Sequence, residues 1–255
     1  MSALFVHYKE VRILPDWLEE IQKQFVLNFI NDNRWMFILD GLLLTLRVTF
    51  FSLIFGTIIG VIVAIVRSTY EKNYSEQRPG LKKIMLMLVN RICVIYLTVI
   101  RGTPVMVQLL IFYFVVLVSV SSGEVIGIIA FSINAGAYIA EIFRSGIMSI
   151  DKGQFEAGRS LGFNYVRTMQ YIIIPQAFKN VIPTLANEVI VLLKETSVLG
   201  VIGIQDLTRG GLLISGRTYS PFMPLIAVAF IYLGVVMLLT WLVGKLERRL
   251  RASER

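Results

Sequence analysis

The chain has 255 residues, of which 56% are hydrophobic, and a mean hydropathy of +0.71, well beyond ordinary soluble domains. A single cysteine and a single histidine exclude an intrachain disulfide and a Cys/His metal cluster. The net charge of +8 gathers at the ends of apolar segments rather than on a basic, aromatic-studded domain, which argues for a bilayer and against nucleic acid as the partner.

Residues 1–37 are mixed and charged and contain no run with the form of a cleaved signal peptide. His7 reads as a surface residue of this leader. Within it, residues 16–30 place apolar side chains at helical spacing, which predicts a short amphipathic helix lying on the membrane surface. A hydrocarbon core about 30 Å thick needs roughly 20 apolar residues to cross it as a helix. The first such span covers about 38–66. Its Ser52, Gly56, Gly60 and Ala64 lie four apart, a stripe on which another helix can approach closely. A polar loop ends at Lys83, and the apolar run 84–118 that follows is too long for one straight span. Arg101-Gly102-Thr103-Pro104 interrupts it, predicting an interfacial or broken helix and then a span over 104–118. A third span is expected over 124–146, a polar interlude over 147–176, and a fourth span over 177–193. After a glycine-rich connector over 200–219, the last span covers 221–244. The expectation is therefore an all-α polytopic membrane protein with five spans. The leader would occupy 1–37, the membrane domain 38–248, and a basic tail 249–255.

Five spans put the termini on opposite sides. Segments 67–83, 147–176 and 245–255 hold 5, 3 and 5 Lys and Arg, 13 together, whereas 1–37, 118–123 and 200–219 hold 4, 0 and 2, 6 together. This bias predicts an outer N-terminus and a cytoplasmic C-terminus in a plasma (inner) membrane.

The polar interlude reads as two short helices separated by Gly162 and closed by Pro175. Asp151 or Gly153 opens the first helix, and Glu156 sits near its positive end. Such a pair makes a rigid knob suited to another protein's groove. Its residues Glu156-Ala157-Gly158, then three residues, Gly162, nine more, and Ile172-Ile173-Ile174-Pro175 resemble the cytoplasmic signature loop of ABC-importer permeases (E-A-A, three residues, G, nine residues, I-x-L-P). Gly158 stands for the second alanine and Ile174 for the leucine. Segments 41–68, 101–110, 134–147 and 187–208 are similar to the polar-amino-acid branch of that superfamily, so the resemblance covers roughly 38–248.

What the resemblance implies is a permease subunit that pairs with a second copy or a paralogue around a central pathway. The partners implied are cytoplasmic ATP-binding subunits, an extracytoplasmic substrate-binding protein and an amino acid substrate. Glu156, Ala157, Gly158, Gly162 and Pro175 would couple the spans to the ATPase. The sequence contains no GxxxxGK[ST] phosphate loop, so it is read as a non-enzyme with no cofactor of its own; ATP and Mg would belong to the partner. An ion-gradient-driven secondary transporter or channel is the alternative.

Charges at membrane depth cost roughly 2.5–3.5 kcal/mol each on insertion scales and ask for a reason. Asn134, Tyr138 and Glu141 share one helix face. Asn187 and Lys194 share another, as do Glu188 and Glu195. With Ser132 and Gln108 as neutral partners, these residues are substrate-binding candidates: donors for a carboxylate, acceptors for an ammonium. Alternatively Glu188, Lys194 and Glu195 pair with one another or across a dimer and hold the bundle, and Glu141 with Arg144 braces the gate or the loop. Arg101 reads as an anchor at the membrane interface.

Overall fold

A computed structural model describes residues 16–73 and 80–252. His7, the first fifteen residues of the leader, 74–79 of the polar loop and 253–255 of the tail lie outside the described residues. Among the described residues the fold is all-α, with no strand.

Helix α1 (Asp16–Phe25) is the amphipathic leader helix. Trp17, Ile21 and Phe25 recur every four residues as an exposed apolar face. A π-helical turn at Val26–Ile30 leads to Asp32 and Asn33, both left-handed with φ of 54° and 52°. Arg34 closes this elbow by donating to the Leu27 carbonyl and pairing with Asp32 at 2.7 Å. Asn28, fully buried at the elbow, accepts from Thr218 Oγ1 at 2.8 Å and donates to Ser220 Oγ at 3.3 Å. These bonds fasten the leader to a turn nearly two hundred residues away.

Helix α2 (Trp35–Asn73) has 39 residues, or about 58 Å at 1.5 Å per residue, so it crosses the apolar layer with turns to spare. Helix α5 (Gly123–Met148) is the most buried of the long helices, and α2 lies along it. The four-residue stripe makes that contact. A methyl group on Gly60 would come within 2.6 Å of Ile139, and one on Gly56 within 3.1 Å of Ala135. Val48, Phe131, Ala135, Ile139, Leu192 and Leu199 form the core around this seam.

The second apolar run departs from expectation in detail. Residues expected as an interfacial or broken helix form α3 (Leu81–Gly102), 22 residues and apolar enough to cross. The span expected over 104–118 is instead a 12-residue helical stretch, α4 (Val105–Ile111) continued by a π-helical turn to Val116. Pro104 terminates α3, because Thr103 before it is held extended (φ −122°, ψ 147°). The break therefore lies deep in the run, and the longer piece precedes it.

After α5 come α6 (Lys152–Ser160), α7 (Tyr165–Thr168) and a π-helical turn at Met169–Ile173, then α8 (Ile174–Glu195). Helix α8 has the length of a span but carries Lys179, Glu188, Lys194 and Glu195. Among the described residues four other helices satisfy both length and apolarity: α2, α3, α5 and α10 (Phe222–Ala252).

The glycine-rich connector is not loop throughout. Residues Thr196–Ile202 form a 3₁₀ helix, and Leu207–Thr218 form α9. Asp206 is fully buried and caps α9, accepting from the backbone N–H groups of Thr208 (3.0 Å) and Arg209 (3.2 Å). Thr45 of α2 takes the Leu207 N–H at 3.1 Å. Here glycine permits contact between backbones: a methyl on Gly41 would meet the Asp206 carbonyl oxygen at 2.5 Å, and one on Gly210 the Phe37 oxygen at 2.3 Å.

Gly60→Val is expected to destabilise the detergent-solubilised protein by about 1–3 kcal/mol through overpacking. Gly234→Val, on open space in α10, should leave its melting temperature unchanged. Equal melting of the two variants would contradict the role of the seam.

Candidate functional site

The interlude between α5 and α8 folds as two short helices, each with a side-chain cap. Asp151 Oδ1 accepts from the Gly153 N–H at 2.7 Å, so Asp151 rather than Gly153 opens α6. Asn164 Oδ1 accepts from the Arg167 N–H at 2.9 Å and opens α7. Between them Gly162 has φ +78°, a left-handed position that closes the first helix and reverses the chain. Gly158 is buried where α6 crosses the second element: a methyl there would lie 2.6 Å from Thr168 and 3.2 Å from Ile172. The glycine at this position thus sets how closely the two short helices approach. Pro175 occupies the first turn of α8, where its missing N–H costs nothing.

Glu156 and Ala157 are exposed on α6, facing away from the bundle. Phe155 beside them packs into a small core with Ile147, Ile150, Ile173 and Ala177. Asn180 donates to Ser149 Oγ at 3.0 Å, tying the start of α8 to the end of α5. Tyr165 lies beside Thr69 of α2, and burial pushes its phenol above the ordinary value. The knob is therefore fixed to α5 and α8 while presenting Glu156 to solvent.

The polar residues at membrane depth divide into two groups. In the first, every candidate has a partner inside the protomer. Gln108 Nε2 faces the Ile100 carbonyl (2.7 Å), the Thr103 carbonyl (3.0 Å) and Thr103 Oγ1 (2.8 Å), and its Oε1 accepts from Asn134 Nδ2 at 2.9 Å. Ser132 donates to the Ile128 carbonyl of its own helix at 2.6 Å. Glu141 accepts from Arg144 Nε at 3.1 Å and stands 3.7 Å from Arg101. Arg144 also reaches Glu71 at 3.3 Å, Glu71 pairs with Arg67 at 2.9 Å, and Arg67 donates to Asn90 at 3.1 Å. The face Asn134–Tyr138–Glu141 thus meets the break between α3 and α4, with the Arg101 guanidinium 5.7 Å from the Tyr138 ring.

In the second group, on α8, Asn187 and Lys194 are exposed, and Glu188 and Glu195 are half-buried. No ion pair among these residues occurs within the protomer among the described residues, so the mutual pairing considered from sequence is not formed here. Glu71, Arg67 and Asn90 were not singled out in the sequence. The i,i+4 pairing of Arg67 with Glu71 at the end of a span was the available signal.

A helical bundle of long apolar helices with a broken helix and a two-helix knob defines a polytopic membrane protein. Comparison with known proteins agrees. Residues 87–252 match the binding-protein-dependent transport system inner membrane component family, and the chain belongs to it. It is 36% identical over 228 residues to the arginine transport system permease protein of Bacillus subtilis strain 168, covering 86% of this chain and 94% of that protein. It is 36% identical over 168 residues to the glutamine transport system permease protein of Escherichia coli strain K12, covering 64% of this chain and 77% of that one. A crystal structure of an amino acid ABC transporter with histidines superposes with a TM-score of 0.74 at 35% identity, over 93% of this chain and 100% of that one. An inward-facing methionine ABC transporter shares the fold (TM-score 0.70, 21% identity, 86% and 99% covered).

Arg144→Met strips a partner from both Glu71 and Glu141. It is expected to lower stability by about 1–3 kcal/mol, read as a lower melting temperature in detergent. Glu71→Gln, which leaves the Arg144–Glu141 pair intact, should cost less. The reverse order would show that the network does not hold these helix ends.

Proposed function

We propose that this chain is the permease subunit of an ATP-driven importer of amino acids, with its N-terminus outside and its C-terminus in the cytoplasm. The observation that carries the reading is the α6–α7 knob. It has capped helices and a glycine crossing, its base is buried against the ends of α5 and α8, and Glu156 and Ala157 are exposed on it. The knob seats in a cytoplasmic ATP-binding subunit, and motion there reaches α2 through Tyr165 and reaches α5 and α8 through Phe155 and Asn180. Glu156, Ala157, Gly158, Gly162 and Pro175 are the coupling residues, the first two by contact and the others by shape. ATP and Mg act on that partner. A second permease copy or paralogue completes the pathway, and an extracytoplasmic binding protein delivers the substrate.

Amino acid transport is supported by the relatives named for arginine and glutamine and by the α8 groups. Glu188 and Glu195 are half-buried carboxylates without an ion pair in the protomer, suited to accept from a substrate ammonium. Lys194 and Asn187, exposed on the neighbouring face, offer donors for its carboxylate. Asn134, Gln108, Glu141 and Ser132 have their bonds inside the protomer and act by placing helices.

Reconstitution with the ATP-binding subunit and the binding protein tests both halves. Glu156→Lys should abolish ATP-driven uptake while membrane insertion is unchanged. Glu188→Gln should raise the KM for the amino acid about tenfold, equivalent to about 1.4 kcal/mol, with ATP hydrolysis retained. Normal uptake by Glu156→Lys, or uptake that follows an imposed ion gradient without ATP, would overturn the reading.

A further inference from the structure

The break at Gly102-Thr103-Pro104 combines three features. Its residues 101–104 are exposed in the protomer, although the helices on both sides are packed on α5. It is held by two polar contacts to a single face of α5. These contacts differ in kind. The first, Gln108–Asn134, is buried, with Gln108 6% and Asn134 1% exposed. Three acceptors around Gln108 Nε2 fix its amide orientation, so its Oε1 faces Asn134 and Asn134 must donate. The carbonyls of Ile100 and Thr103 have lost their helical partners at the break. In hydrocarbon an unpaired carbonyl is costly, so Gln108 takes the place of the missing turn. The second contact, Arg101–Glu141, is long at 3.7 Å and half-exposed, and Glu141 has a nearer partner in Arg144. It can open without leaving a buried carboxylate unpaired.

We propose that the 102–104 break is a gate segment of the transport pathway, with Gln108 and Asn134 as its fixed pivot and Arg101–Glu141 as its releasable catch. Asn134 Oδ1 lies beside this pivot, buried and with no partner among the described residues. A buried amide oxygen without a donor marks an arrangement in which the polar groups are not all satisfied. The pivot positions the segment; it does not contact the substrate. Release of the catch lets Arg101 and Gly102 move while Gln108 holds Thr103 and the Ile100 carbonyl.

The proposal takes its driving force from the importer reading, and the test separates the two. In a Cys93→Ala background, Gly102→Cys provides a reporter, because a side chain at 102 meets nothing within 4 Å. In proteoliposomes with the ATP-binding subunit and binding protein, the rate of methanethiosulfonate labelling is compared without nucleotide and with ATP plus vanadate. The expected change is at least fivefold. Arg101→Gln, which leaves the Glu141–Arg144 pair intact, should bring the nucleotide-free rate to the trapped one. Gln108→Leu should lower maximal uptake at least tenfold with the KM unchanged, as a positioning role requires. Equal labelling in both states, or Arg101→Gln labelling like its parent, overturns the gate even where ATP-driven uptake by the parent is normal. Absence of that uptake in the parent overturns the importer reading and the gate with it.

Discussion

The close contact of α2 with α5 is the constraint on which the other elements depend. In lipid, apolar side chains gain nothing by leaving one hydrocarbon for another, so helices associate where their surfaces fit closely. Ser52, Gly56, Gly60 and Ala64 remove side-chain bulk from one line of α2, and Ala135, Ile139 and Ala140 of α5 fill that line. With α5 fixed, α8 packs on it and the break between α3 and α4 rests on its polar face. The first turns of α2 in turn position α9, whose first backbone groups are satisfied by Asp206 and by Thr45.

Polar groups in this molecule serve mainly to close backbone positions that the chain's irregularities would leave open. A proline-terminated helix frees carbonyls, and Gln108 gathers them. A helix starting within the bundle frees N–H groups, and the buried Asp206 takes two. The elbow between α1 and α2 leaves a carbonyl at Leu27, and Arg34 takes that one. Each solution uses a residue whose chemistry would suggest a ligand site if it were read alone.

The knob shows the same economy applied to a surface. Two capped helices of nine and four residues are too short to persist in isolation. They hold their shape because Phe155, Met169 and Ile172 bury against the ends of α5 and α8. A projection rooted in α5 and α8 keeps a shape that a flexible loop would not.

The sequence by itself determined the all-α class, the long apolar helices, the amphipathic leader helix and the two-helix interlude. These follow from local signals: run length, helical periodicity, proline and glycine breaks, and caps. It also marked the Ser52–Ala64 stripe, because small residues four apart have one physical use in a span. The placement of the break and the helical character of the glycine-rich connector were decided by tertiary structure. Glycine signals a loop and a close contact equally well, and only the approach of Phe37 to Gly210 distinguishes them. The polar residues in the spans were likewise legible as residues that need partners. Which partner each takes depended on helix approach: Gln108 and Asn134 are 26 residues apart and Glu71 and Arg144 are 73 apart. No periodicity within one helix carries that information.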